Sequence, residues 1–374
     1  MSTRSVDGAP VWTYQPDGRR SLHGTFFLTK HAVPAATLPV ALPTFYDEAA
    51  PPPADTAWPD ANVAPRRRLR SYRNLLLYPR HVLVNPRRER LVPVTFKKSR
   101  HHRHGGLLGL GDEQFALRDT ALFGAQPTRT RQPVYLADTE YPGIFGHDLV
   151  EVFTAAWAWS QAGRDAVFTT STPLSRHLLD LLGAVGVPAS SVRQLTGPTL
   201  ASRVLFPEPS VLARRFVHPV AFDLFERARS ALHDPDVPTP ERVYVSRSRV
   251  SGRALVNELE IEEIARELGF AVHHPQEMSI AEQITVFTHA RLIMGPGGSA
   301  MHHAVFSDPA ARVLCLSSPS WITVIDSLLD RGHGRLGYVM GDLEPTRSTR
   351  RRHQGAYRVD PQRVRRAIRA HFDL

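Results

Sequence analysis

The sequence predicts an α/β protein: two doubly wound lobes, each a parallel sheet flanked by helices, preceded by an irregular region rich in proline and arginine. Three observations predict it. From residue 133 onward, short apolar runs alternate with amphipathic segments, the order that lays helices on the faces of a parallel sheet. The alternation halts at the turn-rich "DPDVPTPE" (234–241) and then resumes, as two successive lobes would. Immediately after one apolar run comes "GPGG" (295–298), where backbone freedom is concentrated at a strand end.

In the first lobe, "PVYLA" (133–137), "AVFTT" (166–170) and "SVRQL" (191–195) read as strands, and "GHDLVEVFTAAWAWS" (146–160) and "SRHLLDLLGAVG" (175–186) as the helices between them. "HPVAFDLFERARSALH" (218–233) follows as a helix with Pro219 suited to its first turn. In the second lobe, "RVYVS" (242–246), "FAVHH" (270–274), "RLIM" (291–294) and "RVLCL" (312–316) are strands. Asn257 with Glu260 opens a helix that Gly269 stops, Ser279 with Glu282 forms a capping box, and "SAMHHAVF" is a short helix behind the glycine loop. Asp360 and Pro361 start a basic terminal helix. The domain division expected is 1–115 as an N-terminal extension and strap joined to the first lobe, 116–235 as that lobe, 236–345 as the second, and 346–374 as the C-terminal helix.

At 374 residues the chain exceeds one small core. No apolar run reaches the ~18 residues of a membrane span, and the N-terminus lacks the apolar core of a secretion signal, so a cytoplasmic location is expected. Cys315 is the sole cysteine, which excludes an internal disulfide and a cysteine zinc site; inside "RVLCL" it reads as a buried structural thiol. The net charge of +10 rests almost wholly on arginine, the lysines being Lys30, Lys97 and Lys98, and favours anionic partners. Residues 33–65 are dense in proline and alanine, as a linker or strap would be. The clusters that follow, Arg66–Arg68 with Arg70 and Arg73, and "FKKSRHHRHGG" (96–106), carry few aromatics between their charges. A solvated surface and a mobile loop therefore fit better than a nucleic-acid track; a peripheral contact of these clusters with anionic membrane is a separate expectation.

Glycines between a strand end and a helix let main-chain amides approach a ligand, and the helix start adds partial positive charge, which together favour phosphate. Gly295, Gly297 and Gly298 lack the spacing of a dinucleotide fingerprint, and no Gly-Lys-Ser/Thr follows as in a Walker loop. The loop by itself supports either a phosphate cradle or a plain tight turn. "VYVSRSRVSGRALVNE" sends another strand into Arg247 and Arg253, and strand ends of a parallel sheet share one edge, so these forked donors and the loop meet there. Asp234 and Asp236 spell a DxD, but in a proline-rich connection instead of at a strand end; no metal site is expected, and His302 with His303 lacks a third ligand.

"VSRSRVSGRALVNELEIEEIARELGF", "MSIAEQITVFTHARLIMGPGGSAMHHAVF" and "VLCLSS" together resemble glycosyltransferase family 61 over about 80 residues, in its order Ser-Arg, downstream Arg, Asn-Glu, Glu-Gln and Gly-x-His-Gly-Ala. "GHDLVEVF" is similar to the family's Gly-His…Glu helix. Gly297 stands where the family usually carries histidine, and His302-His303 where it carries Thr-Asn. The resemblance implies a GT-B-like fold of two Rossmann-like lobes with an interlobe cleft, and inverting transfer of a sugar to a glycan, lipid-linked or other hydroxyl acceptor without an obligatory metal. It implies no cofactor beyond a nucleoside diphosphate sugar as co-substrate. Donor contacts are then expected from Ser246, Arg247, Arg253, Asn257, Glu258, Glu282, Gly295, Gly297, Gly298, Ser299 and His302. For Glu258 and Glu282 a helix-start carboxylate and a cap remain the alternative. His147 is the expected general base, with Glu151 one turn on to orient it, a helix cap being the competing role. A nucleic-acid-binding protein and a catalytically silent nucleotide-sugar binder are the other classes of answer.

Overall fold

The computed structural model describes residues 5–6, 9–14, 26–46, 58–92, 107–111, 113–250, 255–318, 322, 324–344 and 355–374. Arg253 and the cluster 96–106 lie outside the described residues. The chain divides into two compact units, 1–34 with 66–210 and 35–65 with 211–374.

In the first unit, strands Val134–Leu136, Val167–Thr170 and Val192–Gln194 lie side by side and parallel, and Thr199–Pro207 adds parallel on the far side of Val134–Leu136. Chain order therefore reverses at Val134–Leu136, the topological switch point where ligands bind beyond the strand ends. Tyr72, Leu75, Leu77, Val134, Leu136, Val204 and Phe206 build a core across this sheet.

The expected irregular N-terminal region is corrected. Arg67–Tyr78 is a twelve-residue strand that runs antiparallel to Thr199–Pro207 and also pairs with Phe26–Val33 and Val82–Asn85. Its arginines concealed the strand: Leu69, Tyr72, Leu75 and Leu77 are buried, while Arg70 lies against Glu208 and long basic stems cover apolar surface with their heads outward.

The second unit carries a six-stranded, wholly parallel sheet in the order Ala271–His273, Arg242–Val245, Leu292–Pro296, Arg312–Ser317, Leu336–Met340, Thr44–Phe45. The expected strap thus contributes an edge strand, and residues 36–39 and 61–64 form a separate hairpin-like pair. Ser279 and Glu282 make the capping box, Asp360 caps Pro361–Phe372, and Gly269 ends its helix at φ +80°. Val364, Ala367, Ile368 and Phe372 of the terminal helix complete the core against Ile261, Ile264 and Leu314. Among the described residues no helix is long and apolar enough to cross a membrane.

Candidate active site

The order of the second sheet places its switch point between Arg242–Val245 and Leu292–Pro296. Both expected loops leave from these two neighbouring strand ends. A Cβ on Gly295 would stand 2.4 Å from the Val245 carbonyl oxygen, so Gly295 is glycine because the strands close up there. Gly297 donates its amide to Leu316 O at 2.7 Å, and a Cβ would meet Ser317 Oγ at 3.0 Å. These two glycines serve strand packing. Gly298 begins the 3₁₀ helix Ser299–Phe306, and the opening amides of such a helix, here those of Ser299 and Ala300, are the ones its own turns leave without partners.

Ser246 and Arg247 are held from below by two carboxylates one turn apart on helix Glu258–Glu267. Ser246 Oγ donates to Glu262 Oε1 at 2.7 Å, and the Arg247 amide donates to Glu258 Oε1 at 2.6 Å. Both carboxylates are buried. Burial pushes Glu258 up to about 7, with the neighbouring Glu262 adding to the rise. Burial also raises Glu262, but hydrogen bonds from Ser246, Ser248 and Arg266 outweigh it and hold that carboxyl below its usual range. One of the pair is therefore ionised while the other keeps its proton near neutrality.

A stability slope follows. Folded Glu258 retains its proton up to about pH 7, whereas an unfolded glutamate releases it near 4.5; between these values the folded state binds more protons, and stability falls as pH rises. Glu258→Gln is expected to leave the melting temperature unchanged at about pH 4 and to raise it at about pH 8. Calorimetry at both pH values checks this, and an equal shift at each would assign the proton elsewhere.

Other expected donor residues face different partners. Asn257 Nδ2 donates to Val359 O at 2.9 Å and makes no side-chain cap bond, and Glu282 is spent on the exposed Ser279 cap. His302 is buried with Nδ1 2.9 Å from Asp326 Oδ1, and Tyr338 donates its hydroxyl to Asp326 Oδ2 at 3.1 Å. His303 stacks on Phe287 with Nδ1 2.9 Å from Ala300 O. Cys315 is buried, and burial raises its thiol well above the ordinary range. Asp234 Oδ1 accepts the Asp236 amide at 3.0 Å, a local turn. Among the described residues no three or more His, Cys, Asp or Glu side chains gather as a metal would require.

In the first unit the chain leaves the switch strand Val134–Leu136 through Asp138 and Thr139 and re-enters a helix at Phe145. That helix widens to a π-turn over Asp148–Phe153 and then tightens to 3₁₀ over Thr154–Gln161, irregularity of the kind found at functional sites. His147 Nδ1 lies 3.1 Å from Glu151 Oε1, the Thr139 hydroxyl donates to Glu151 Oε2 at 2.6 Å, and the Tyr141 ring stacks on His147 at 4.4 Å. Burial raises Glu151, but the hydrogen bond and charge of His147, then Thr139 and His81, bring it below its ordinary value. Burial pushes neighbouring Asp148 up to about 6, against the pull of the Thr172 hydroxyl at 2.5 Å. A histidine whose Nδ1 donates to a carboxylate leaves Nε2 as the ring nitrogen that accepts a proton.

Sequence reasoning missed Glu262, Thr139 and Asp326. The four-residue step from Glu258 to Glu262 was the available signal for the first, and only the fold reveals the other two. No curated protein matches the chain. Residues 145–314, which carry both the His147–Glu151 dyad and the switch-point loops of the second sheet, match the family model described as Glycosyltransferase 61.

Proposed function

We propose that the chain is an inverting, metal-independent glycosyltransferase of GT-B type that moves a sugar from a nucleoside diphosphate sugar to a hydroxyl of a glycan or lipid-linked acceptor in polysaccharide assembly, on the cytoplasmic side and against anionic membrane. The observation that carries this reading is the convergence of the Ser246–Arg247 loop and the Gly298–Ser299 helix start on one switch point, within a family match to glycosyltransferases. The diphosphate takes the amides of Ser299 and Ala300 and the guanidinium groups of Arg247 and Arg253, which stabilise charge as the leaving group departs. The second unit holds the donor. His147 Nε2 on the first unit accepts the proton of the attacking acceptor hydroxyl, and Glu151 stabilises the imidazolium that results.

Thermal shift with UDP-, GDP-, CMP- and dTDP-sugars tests the donor site. One nucleotide class is expected to stabilise the protein, and Arg247→Ala to weaken that ligand about 10-fold or more, the range of a lost charge-assisted contact. Stabilisation that survives Arg247→Ala places the donor elsewhere; stabilisation without sugar turnover identifies a silent binder. The nucleic-acid reading is disfavoured by Arg67 and Arg70, which are turned to Pro209 O and Glu208 within their own unit. Oligonucleotide affinity that falls steeply with salt would restore it.

A further inference from the structure

Beside the donor loop, on the outward side of helix Glu258–Glu267, lies a groove of about 430 Å³, the size of a small-ligand pocket. Leu259, Glu263 and Arg266 line it from one helix face, with Ser248, Arg249 and His274 opposite. Three features define what it accepts. First, its charges offset one another: the lining holds Arg249 and Arg266 with Glu262 and Glu263, Arg266 lying 2.8 Å from Glu262 and Arg249 2.6 Å from Glu277 beyond the groove, in a chain whose net charge is +10. A polyanion gains little from guanidinium groups already neutralised, whereas fixed carboxylate and guanidinium edges suit hydroxyls, which donate and accept together. Second, Leu259 is 67% exposed and, with the aliphatic stems of Arg249 and Arg266, offers an apolar strip to the C–H face of a sugar ring. Third, His274 lines the groove and brings to it an imidazole, a ring that both donates and accepts hydrogen bonds.

We propose that this groove binds a segment of neutral glycan. Its role as a substrate-holding surface rests on the transferase reading above. Glu262 joins it to the donor loop, since one carboxylate oxygen takes Arg266 in the groove wall and the other takes Ser246 at the strand end. A glycan laid along the groove lies next to the loop that holds the donor.

Calorimetric titration of the full chain with maltohexaose, cellohexaose, xylohexaose and mannohexaose, with a heparin hexasaccharide as polyanion control, tests the proposal. At least one neutral hexasaccharide is expected to bind, with affinity unchanged between about 0.1 and about 0.5 M salt and weakened about 10-fold by Leu259→Asp. Leu259→Asp is expected to leave thermal shift by nucleotide sugars unchanged, because Leu259 is outside the donor machinery. Binding by none of the neutral sugars, binding indifferent to Leu259→Asp, or salt-sensitive binding of heparin alone would each overturn it. The two readings fail separately: a nucleotide shift without sugar binding ends the groove, and sugar binding without a nucleotide shift ends the donor site.

Discussion

Replacing His147 by alanine is expected to lower turnover by about 10²–10⁴-fold, the usual worth of a positioned general base, while nucleotide-sugar binding stays at the wild-type level. The second half of that expectation follows from the proposed division of roles: His147 belongs to the first unit, whereas the loops proposed to hold the donor belong to the second. The first half follows from its surroundings. Glu151 Oε1 at 3.1 Å engages Nδ1, Thr139 at 2.6 Å fixes the other carboxylate oxygen, and Tyr141 covers the ring, so that tautomer and orientation are both set. Glu151→Gln is expected to lower turnover in the same range, because an amide can hold the ring in the wrong tautomer and gives no charge to the imidazolium. Initial rates of nucleoside diphosphate release at saturating donor, with acceptor present, measure both variants. Turnover of His147→Ala within a few-fold of wild type would remove this residue from the base role.

The dyad was legible because it is local. His147 and Glu151 are four residues apart on a helix, and that spacing brings side chains together even where the winding departs from α. The strand-helix alternation of the second unit was legible for a similar reason: parallel strands buried on both faces are continuous apolar runs such as Val243–Val245 and Val313–Leu316. What the sequence concealed was non-local. Thr44–Phe45 joins the second sheet beside Leu336–Met340 from nearly three hundred residues upstream, and two residues carry no period. Arg67–Tyr78 was hidden by its arginines and by burial that does not alternate, since Ser71 and Tyr72 are both buried, Arg73 and Asn74 both exposed, and Leu77 and Tyr78 both buried. The glycines misled in a different way. Gly295 and Gly297 pointed correctly to a close approach, but the backbone that approaches belongs to Val245 and to the Leu316–Ser317 strand; the sequence of a loop does not tell which neighbour requires its lack of a side chain.

Arg335→Met is expected to cost about 3–5 kcal/mol and to lower the melting temperature on the order of 10 °C. Arg335 and Asp330 form a buried ion pair at 2.8 Å. Burial pushes the Asp330 carboxyl up and the Arg335 guanidinium down, and in each case the partner's attraction recovers only part of the loss. The intact pair therefore adds little net stability, yet either partner alone is an uncompensated buried charge. Asp330→Leu with Arg335→Met should accordingly return most of the stability that Arg335→Met removes, and calorimetry of the single and double variants decides the matter. If the double variant is as unstable as the two losses added, the residues do not act as a pair. The effect reaches the proposed donor site by a traceable route. The same guanidinium donates to Ala304 O at 3.3 Å, Ser307 Oγ at 3.1 Å and Asp308 O at 2.7 Å, which fastens the far end of the 3₁₀ helix whose first amides are assigned to the diphosphate. Restoring the packing with two apolar side chains restores stability but not these three bonds. The double variant is therefore expected to fold near wild-type stability and still to bind the stabilising nucleotide more weakly, a separation that a purely global role for Arg335 would not produce.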